Sequence, residues 1–197
     1  MKALIEATIE TLEQVKSLIT LCAGDQYDQA SVHSMSGVGR HVRHILDHFI
    51  AVKGGAESGV IDYNVRQRDS DIESNSQLAL QRTNELIDWL SVLGREDVQP
   101  GQKIQVVTEI SVSQTKTMAM ESNLDRELCY LINHTIHHLS YASLVAKQLG
   151  FTVDDSIGLA PGTATYLRQT AEQESHQPVQ EDHRLAREGH QLLDQAG

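Results

Sequence analysis

Apolar residues recurring three and four positions apart, over four long stretches, constrain the fold of this chain more tightly than any other feature. A 3.6-residue repeat sets such residues on one stripe of a helix, and that stripe must be buried against something. The first stretch, Ala3 to about Cys22, aligns Ile5, Ile9, Leu12, Val15, Ile19 and Cys22, and Gly24 follows as a stop. The second is predicted to start at Ser36, a good N-cap residue, and to run to Lys53, where Gly54-Gly55 ends it. Its apolar set is Val38, Val42, Ile45, Leu46, Phe49 and Val52. The third, roughly Ser76 to Leu93, places Ala79, Thr83, Leu86, Ile87, Leu90 and Leu93 on one face. The fourth runs from about Asn123 to Leu149, is closed by Gly150, and buries Leu124, Leu128, Leu131, Ile132, Leu139, Ala142, Val145 and Leu149.

The segments between are of two kinds. ESGVIDYNVRQRDSDIESNS, after the second helix, lacks periodicity, and structureless loops of that length in compact domains are often functional. Gly94 and Pro100-Gly101 mark a turn, after which KIQVVTEISVSQTKTMA (103–119) is rich in β-branched residues. That segment predicts one or two short strands, a hairpin-like insert before the fourth helix. No internal repeat is visible. The expectation is an all-α four-helix bundle with one long crossover, over residues 1–168, followed by a polar C-terminal tail at 169–197. A short docked segment near Pro161–Leu167 is expected to precede that tail.

Composition narrows the function classes. The net charge is −11, with 16 Lys+Arg against 27 Asp+Glu, which opposes nucleic acid or an anionic membrane surface as a partner. No apolar run approaches the roughly 20 residues of a membrane span, and the acidic N-terminal stretch does not read as a signal peptide. The cytoplasm is the expected compartment. Cys22 and Cys129 lie far apart within apolar helical patterns and read as buried, reduced thiols.

Ten histidines in 197 residues is a high count, and six fall in GRHVRHILDH and NHTIHH. On the fourth helix His134 and His138 share one stripe with Glu127, Leu131, Tyr141 and Val145, whereas His137 points toward the polar side. An i,i+4 histidine pair can clamp one metal ion, although two histidines beside a core can equally hydrogen-bond to backbone or water. The second helix weighs on the metal side. His41, His44 and His48 lie within a narrow arc, and a bundle brings that arc against the fourth helix. Three histidines that leave coordination positions open form the catalytic rather than the structural pattern. Helical geometry mildly prefers His41 or His48 as the third ligand, and that choice stays open on geometry alone.

VGRHVRHILDH, followed about ninety residues later by LCYLINHTIHHLSYASLVAKQLG, resembles the DinB/YfiT-like superfamily of metal-dependent proteins. The resemblance covers roughly residues 1–150, and the two motifs in order carry far more than either alone. It implies a four-helix bundle with one histidine on the second helix and an H-x-x-x-H pair on the last core helix. These positions fall on His44, His134 and His138. It further implies a divalent metal, nickel or zinc, frequent homodimers, and in several relatives thiol transfer or isomerisation with a low-molecular-weight thiol. Others are described as stress-inducible. The chain departs from the commonest pattern in Leu139-Ser140-Tyr141 and in the 103–119 insert, which blocks transfer of a particular substrate. The reading is a metal-dependent enzyme that activates water or a thiol, a thiol transferase or hydrolase. The alternative is a non-catalytic metal- or small-molecule-binding stress protein.

Four further candidates stand near this constellation. Arg66, Arg68 and Asp69 could hold an anionic substrate or form a solvated salt bridge, the latter being the blander account. Asp47 could bond a ligand imidazole or face solvent. Glu127 could act as a base or pair with an arginine, and Tyr141 could donate to a bound ligand or sit in the core. His176, His183 and His190 recur every seven residues, but Pro178 interrupts any helix holding all three, so they read as surface residues.

Overall fold

The structure is a computed structural model describing residues 1–95 and 101–176. It divides into two compact units, Met1–Ala160 and the chain from Pro161 onward. Five α-helices and one small sheet appear among the described residues. The helices of the first unit are α1 (Lys2–Leu21), α2 (Val38–Ser58), α3 (Ser76–Leu93) and α4 (Leu124–Gln148). In the second unit Pro161–His176 forms one helix, α5, so the predicted Pro161–Leu167 segment is the first half of a longer element. The side chain of His176, together with Pro100, Pro178, His183 and His190, lies outside the described residues.

The periodic stripes become the core. Leu12, Val15 and Ile19 from α1, Val42, Ile45, Leu46 and Phe49 from α2, Leu90 from α3, and Leu124, Leu128, Leu131 and Leu139 from α4 are fully buried. Helix α2 packs on α4 and α3, and α1 packs on the same two partners. The α2–α4 contact matters most here, because both histidine-bearing faces meet along it. Asn75 and Asn123 cap α3 and α4 by accepting from the backbone N–H groups of Leu78 and Arg126, at 3.0 and 2.9 Å.

Helix α2 differs from its predicted bounds at both ends. Its N-cap is Gly37, not Ser36, and it runs through Gly54-Gly55 to Ser58 before Gly59 closes it in the left-handed conformation, φ +79°. Gly55 is a packing notch: a Cβ there would lie 2.2 Å from Ile61 Cγ1. Gly39 is another, since a Cβ would meet the Glu73 carbonyl oxygen at 1.9 Å.

These notches seat the aperiodic segment. After α2 the chain forms strand β1 (Val60–Asp62), then a single 3-10 turn at Asp71–Glu73. Strand β1 pairs parallel with β2 (Lys103–Glu109), with Ile61 opposite Val106, and β2 pairs antiparallel with β3 (Thr117–Asn123), with Val106 opposite Met120. The hairpin before α4 is therefore present. The third strand was missed because a three-residue strand carries no readable alternation. Ile61, Ile104 and Val106 bury the sheet's inner face against the helices.

Candidate metal centre

Helices α2 and α4 bring five histidines together. Nitrogens of His44, His134 and His138 all lie within 4.8 Å of one another. Within that set, His134 Nε2 stands 3.1 Å from His44 Nε2, close to the roughly 3.3 Å between two nitrogens bound at 2.0–2.1 Å to one tetrahedral ion. His44, not His41 or His48, thus groups with the α4 pair. The i,i+4 spacing stacks His134 and His138 on one face, and α2 presents His44 between them, with ring centroids 4.8 and 4.3 Å away.

The other two histidines flank the trio. His48 is buried, lies with its ring 4.0 Å from His134, and its Nδ1 donates to the His44 carbonyl at 2.9 Å. That bond turns one nitrogen toward its own helix. His41 Nδ1 lies 3.4 Å from His138 Nδ1, while its Nε2 is buried with no hydrogen-bond partner among the described residues. His137 is exposed, as its place on the wheel requires.

Burial and mutual proximity hold these rings neutral. His44 is pushed down to about 2, chiefly by burial and then by His48, His138 and Arg66. Burial likewise lowers His134 to about 3 and His138 to about 4, with neighbouring histidines adding to it. Neutral imidazole is the form that ligates a metal. Donor type, spacing and protonation state therefore all fit a divalent ion, and the three histidines could hold one.

A charged layer lies behind α2. Asp47 is buried and takes Arg43 Nη1 at 2.5 Å and the backbone N–H of Gln67 at 3.4 Å. Among the described residues none of its hydrogen bonds or ion pairs goes to an imidazole, so it is neither a direct partner of a ligand ring nor a solvent-facing residue. Arg43 is also buried, with Nε 2.6 Å from Glu73 Oε1, an ion pair by distance though out of line for a hydrogen bond. Arg66, from the aperiodic segment, pairs with the same Asp47 oxygen as Arg43, at 3.6 Å, and bonds His44 Nδ1 through Nη2. Arg66 is therefore no solvated loop residue, whereas Arg68 and Asp69 are exposed.

Glu127 is fully buried at the foot of the stripe. Tyr63 donates to its Oε2 at 2.6 Å, and Ser122 and Arg126 donate to its Oε1 at 2.5 and 2.9 Å. The arginine pairing weighed for it holds. Tyr63 is raised above the ordinary phenol range by burial and by that carboxylate, so it stays a donor. Its ring stacks on His48 at 5.1 Å, and Tyr130 OH reaches within 3.4 Å of His134 Nδ1. Neither tyrosine was singled out from the sequence. Tyr130 was findable, being four residues before His134 on the same stripe; Tyr63 sits in an aperiodic segment and gave no signal. Tyr141 is exposed, with its ring 4.8 Å from His41. Cys129 is exposed rather than buried, because one step past Leu128 turns it off the core stripe; Cys22 is buried, and both thiols are free.

The family model for the DinB family matches residues 10–175. The chain belongs to the DinB family. Among individual relatives, an "FK506-binding protein 5" from Rhizopus delemar is 25% identical over 116 residues, 56% of this chain and 28% of that protein. The chain thus spans less than a third of that relative's length. Among solved structures, a DinB-like protein from Bacillus subtilis matches at 14% identity and a TM-score of 0.49, covering 77% of this chain and 94% of the other. No described helix is long and apolar enough to cross a membrane.

Proposed function

We propose that this DinB protein is a four-helix bundle carrying a three-histidine divalent metal site, His44, His134 and His138, that serves a metal-dependent reaction on a small molecule. The observation that carries this reading is the convergence of three neutral imidazoles from two facing helices, two of them with Nε2 atoms 3.1 Å apart. A divalent ion held there, zinc or nickel, supplies Lewis acidity that lowers the pKa of a water or a low-molecular-weight thiol. The chain's own residues do the rest. His41 stands beside His138 at the cleft, Nδ1 to Nδ1 at 3.4 Å, Tyr130 bears on His134 Nδ1, and the Tyr63–His48 stack closes one side of the cluster. A cleft of about 440 Å³ opens on the other side, lined in part by His41, His44 and His138, and admits a small substrate. Activation of water makes a hydrolase, activation of a thiol a transferase, in a homodimer of the cytoplasm.

The test is elemental analysis by mass spectrometry on tag-free protein after reconstitution with zinc or nickel. Near-stoichiometric metal is expected in the wild type, and loss of most of it in His44→Ala, His134→Ala and His138→Ala. His48→Ala is expected to retain it. Wild-type metal content in all three folded ligand variants would refute the site.

A further inference from the structure

The cleft beside the histidines carries a charge unlike the chain around it. Four arginines line it (Arg40, Arg43, Arg66 and Arg68), in a protein whose acids outnumber its bases by 27 to 16. Against them stand Asp69 and Glu73 in the lining and Asp47 just behind, which leaves one positive charge uncompensated.

Two of those carboxylates, Glu73 and Asp47, are already engaged. Glu73 takes Arg40 Nε at 3.1 Å on Oε2, with Arg43 and the Asp69 N–H on Oε1. Asp47 takes Arg43 and Gln67. Arg66 is only partly served. Its buried Nε forms a long ion pair with Asp47, at 3.6 Å, and has no hydrogen-bond partner among the described residues. Arg68 makes no hydrogen bond or ion pair among the described residues and lines the same cleft.

We propose that Arg66, assisted by Arg68, is a subsite for the carboxylate of a small-molecule substrate, placed against His44. The inference deepens the metal reading above and rests on it for the substrate's orientation. The Nε–Nη2 edge of a guanidinium is a planar two-donor fork matched to a carboxylate, and here the Nε tooth has only the long ion pair to Asp47 and no hydrogen bond among the described residues. A monoanion neutralises the single excess charge, whereas a dianion such as phosphate meets Asp69 and Glu73 as well. His44 supplies a second reason. Its Nδ1 now accepts from Arg66. An imidazole that ligates through Nε2 carries its proton on Nδ1, so ring and guanidinium would then face each other as two donors. An acceptor must come between them, and a substrate carboxylate at the cleft wall provides it.

The experiment follows the Arg66 Nε–H resonance by NMR while propionate, its neutral isostere propionamide, or inorganic phosphate is titrated into zinc-loaded and metal-free protein. Metal content is measured on the same samples. Propionate is expected to shift the resonance saturably, at least tenfold more tightly than phosphate and severalfold more tightly with zinc bound. Propionamide is expected to leave it unmoved. Propionate affinity, read from its own line broadening, should fall at least tenfold in Arg66→Gln, fall less in Arg68→Gln, and recover in part in Arg66→Lys. Equal binding by propionamide, tighter binding by phosphate, or unchanged affinity in folded Arg66→Gln would overturn the proposal. Retained zinc with no propionate binding would sink the subsite alone. Propionate binding by a protein that holds no zinc would sink the metal reading alone and leave Arg66 as an anion site.

Discussion

Removing one hydroxyl, in Tyr63→Phe, tests whether the buried carboxylate at the foot of the site is held as tightly as its surroundings require. Glu127 is fully buried, and its two oxygens are served separately: Ser122 and Arg126 on Oε1, Tyr63 alone among the described residues on Oε2. Phenylalanine keeps the ring that stacks on His48 and removes only the donor. A hydrogen bond to a charged group contributes about 1.5–3 kcal/mol, and here its loss leaves a buried oxygen unsatisfied, so a cost of about 2–3 kcal/mol is expected. For a unit of this size that lowers Tm by about 5–10 °C. Urea denaturation followed by the fluorescence of Trp89, the sole tryptophan, measures it. Repeating the change in a Glu127→Gln background separates charge from shape. A neutral amide accepts the same bond at about 1 kcal/mol, so the cost of Tyr63→Phe should fall by about 1–2 kcal/mol there. A cost below about 0.5 kcal/mol, typical of a surface change, or an equal cost in both backgrounds, would refute the reasoning. Metal content should not change, since no histidine contact is lost.

Three further outcomes follow from the same geometry. Zinc at a hundredfold excess over its Kd should stabilise the wild type by about 2.7 kcal/mol, raising Tm by about 5–10 °C, and leave His134→Ala unmoved in a thermal scan. The histidine pKa values, depressed in the folded state by burial, mean that below about pH 6.5 the unfolded chain binds protons that the native cluster refuses. Stability of chelated protein should therefore be full above that pH and fall between pH 6.5 and 5, before carboxylates titrate; a flat urea midpoint over that window would contradict it. Gly39→Ala should destabilise by about 1–3 kcal/mol in urea titrations despite alanine's better helix propensity, because its Cβ would sit 1.9 Å from a backbone carbonyl; a stabilised variant would show that the segment at Glu73 gives way.

The helices and the His134–His138 pair were legible because each rests on periodicity, whereas His44 was singled out only by the family resemblance. Leu124, Leu128, Leu131 and Leu139 announce the buried face of α4, and the same wheel places His134 with His138 and turns His137 outward. The wheel alone mildly preferred His41 or His48 over His44 on α2. Its error is one of depth, since His48 lies buried against its own helix while half-buried His44 stands between the α4 pair. Gly54-Gly55 reads locally as a stop, yet Gly55 serves contact with Ile61, a residue that pairs only after the chain has returned. Cys129 was misplaced because it neighbours core leucines in sequence though not on the wheel. Arg66 and Tyr63 lie in a segment without period, where residue type alone had to speak.

That segment is nonetheless fixed to the two helices that carry the histidines. Its strand residues pair with β2, its Gln67 N–H bonds Asp47 on α2, its Tyr63 bonds Glu127 on α4, and its Glu73 carbonyl fills the notch at Gly39. A side chain on a free loop would lose rotamer and backbone entropy on each binding event, whereas Arg66 enters the site from a backbone already held at four points. The bonds to Asp47 and Glu127 cross to different helices, so a shift of α2 against α4 that moved His44 from His134 would also strain one of them. Ligand spacing and substrate grip are thereby coupled: the contacts that place Arg66 beside His44 are the same ones that resist separation of the histidine-bearing helices. Variants at Gly39 or Tyr63, which touch neither metal nor substrate, should accordingly weaken propionate binding through Arg66 more than they weaken metal retention, because the three histidines stand on helices that pack directly on each other while Arg66 depends on every anchor in between.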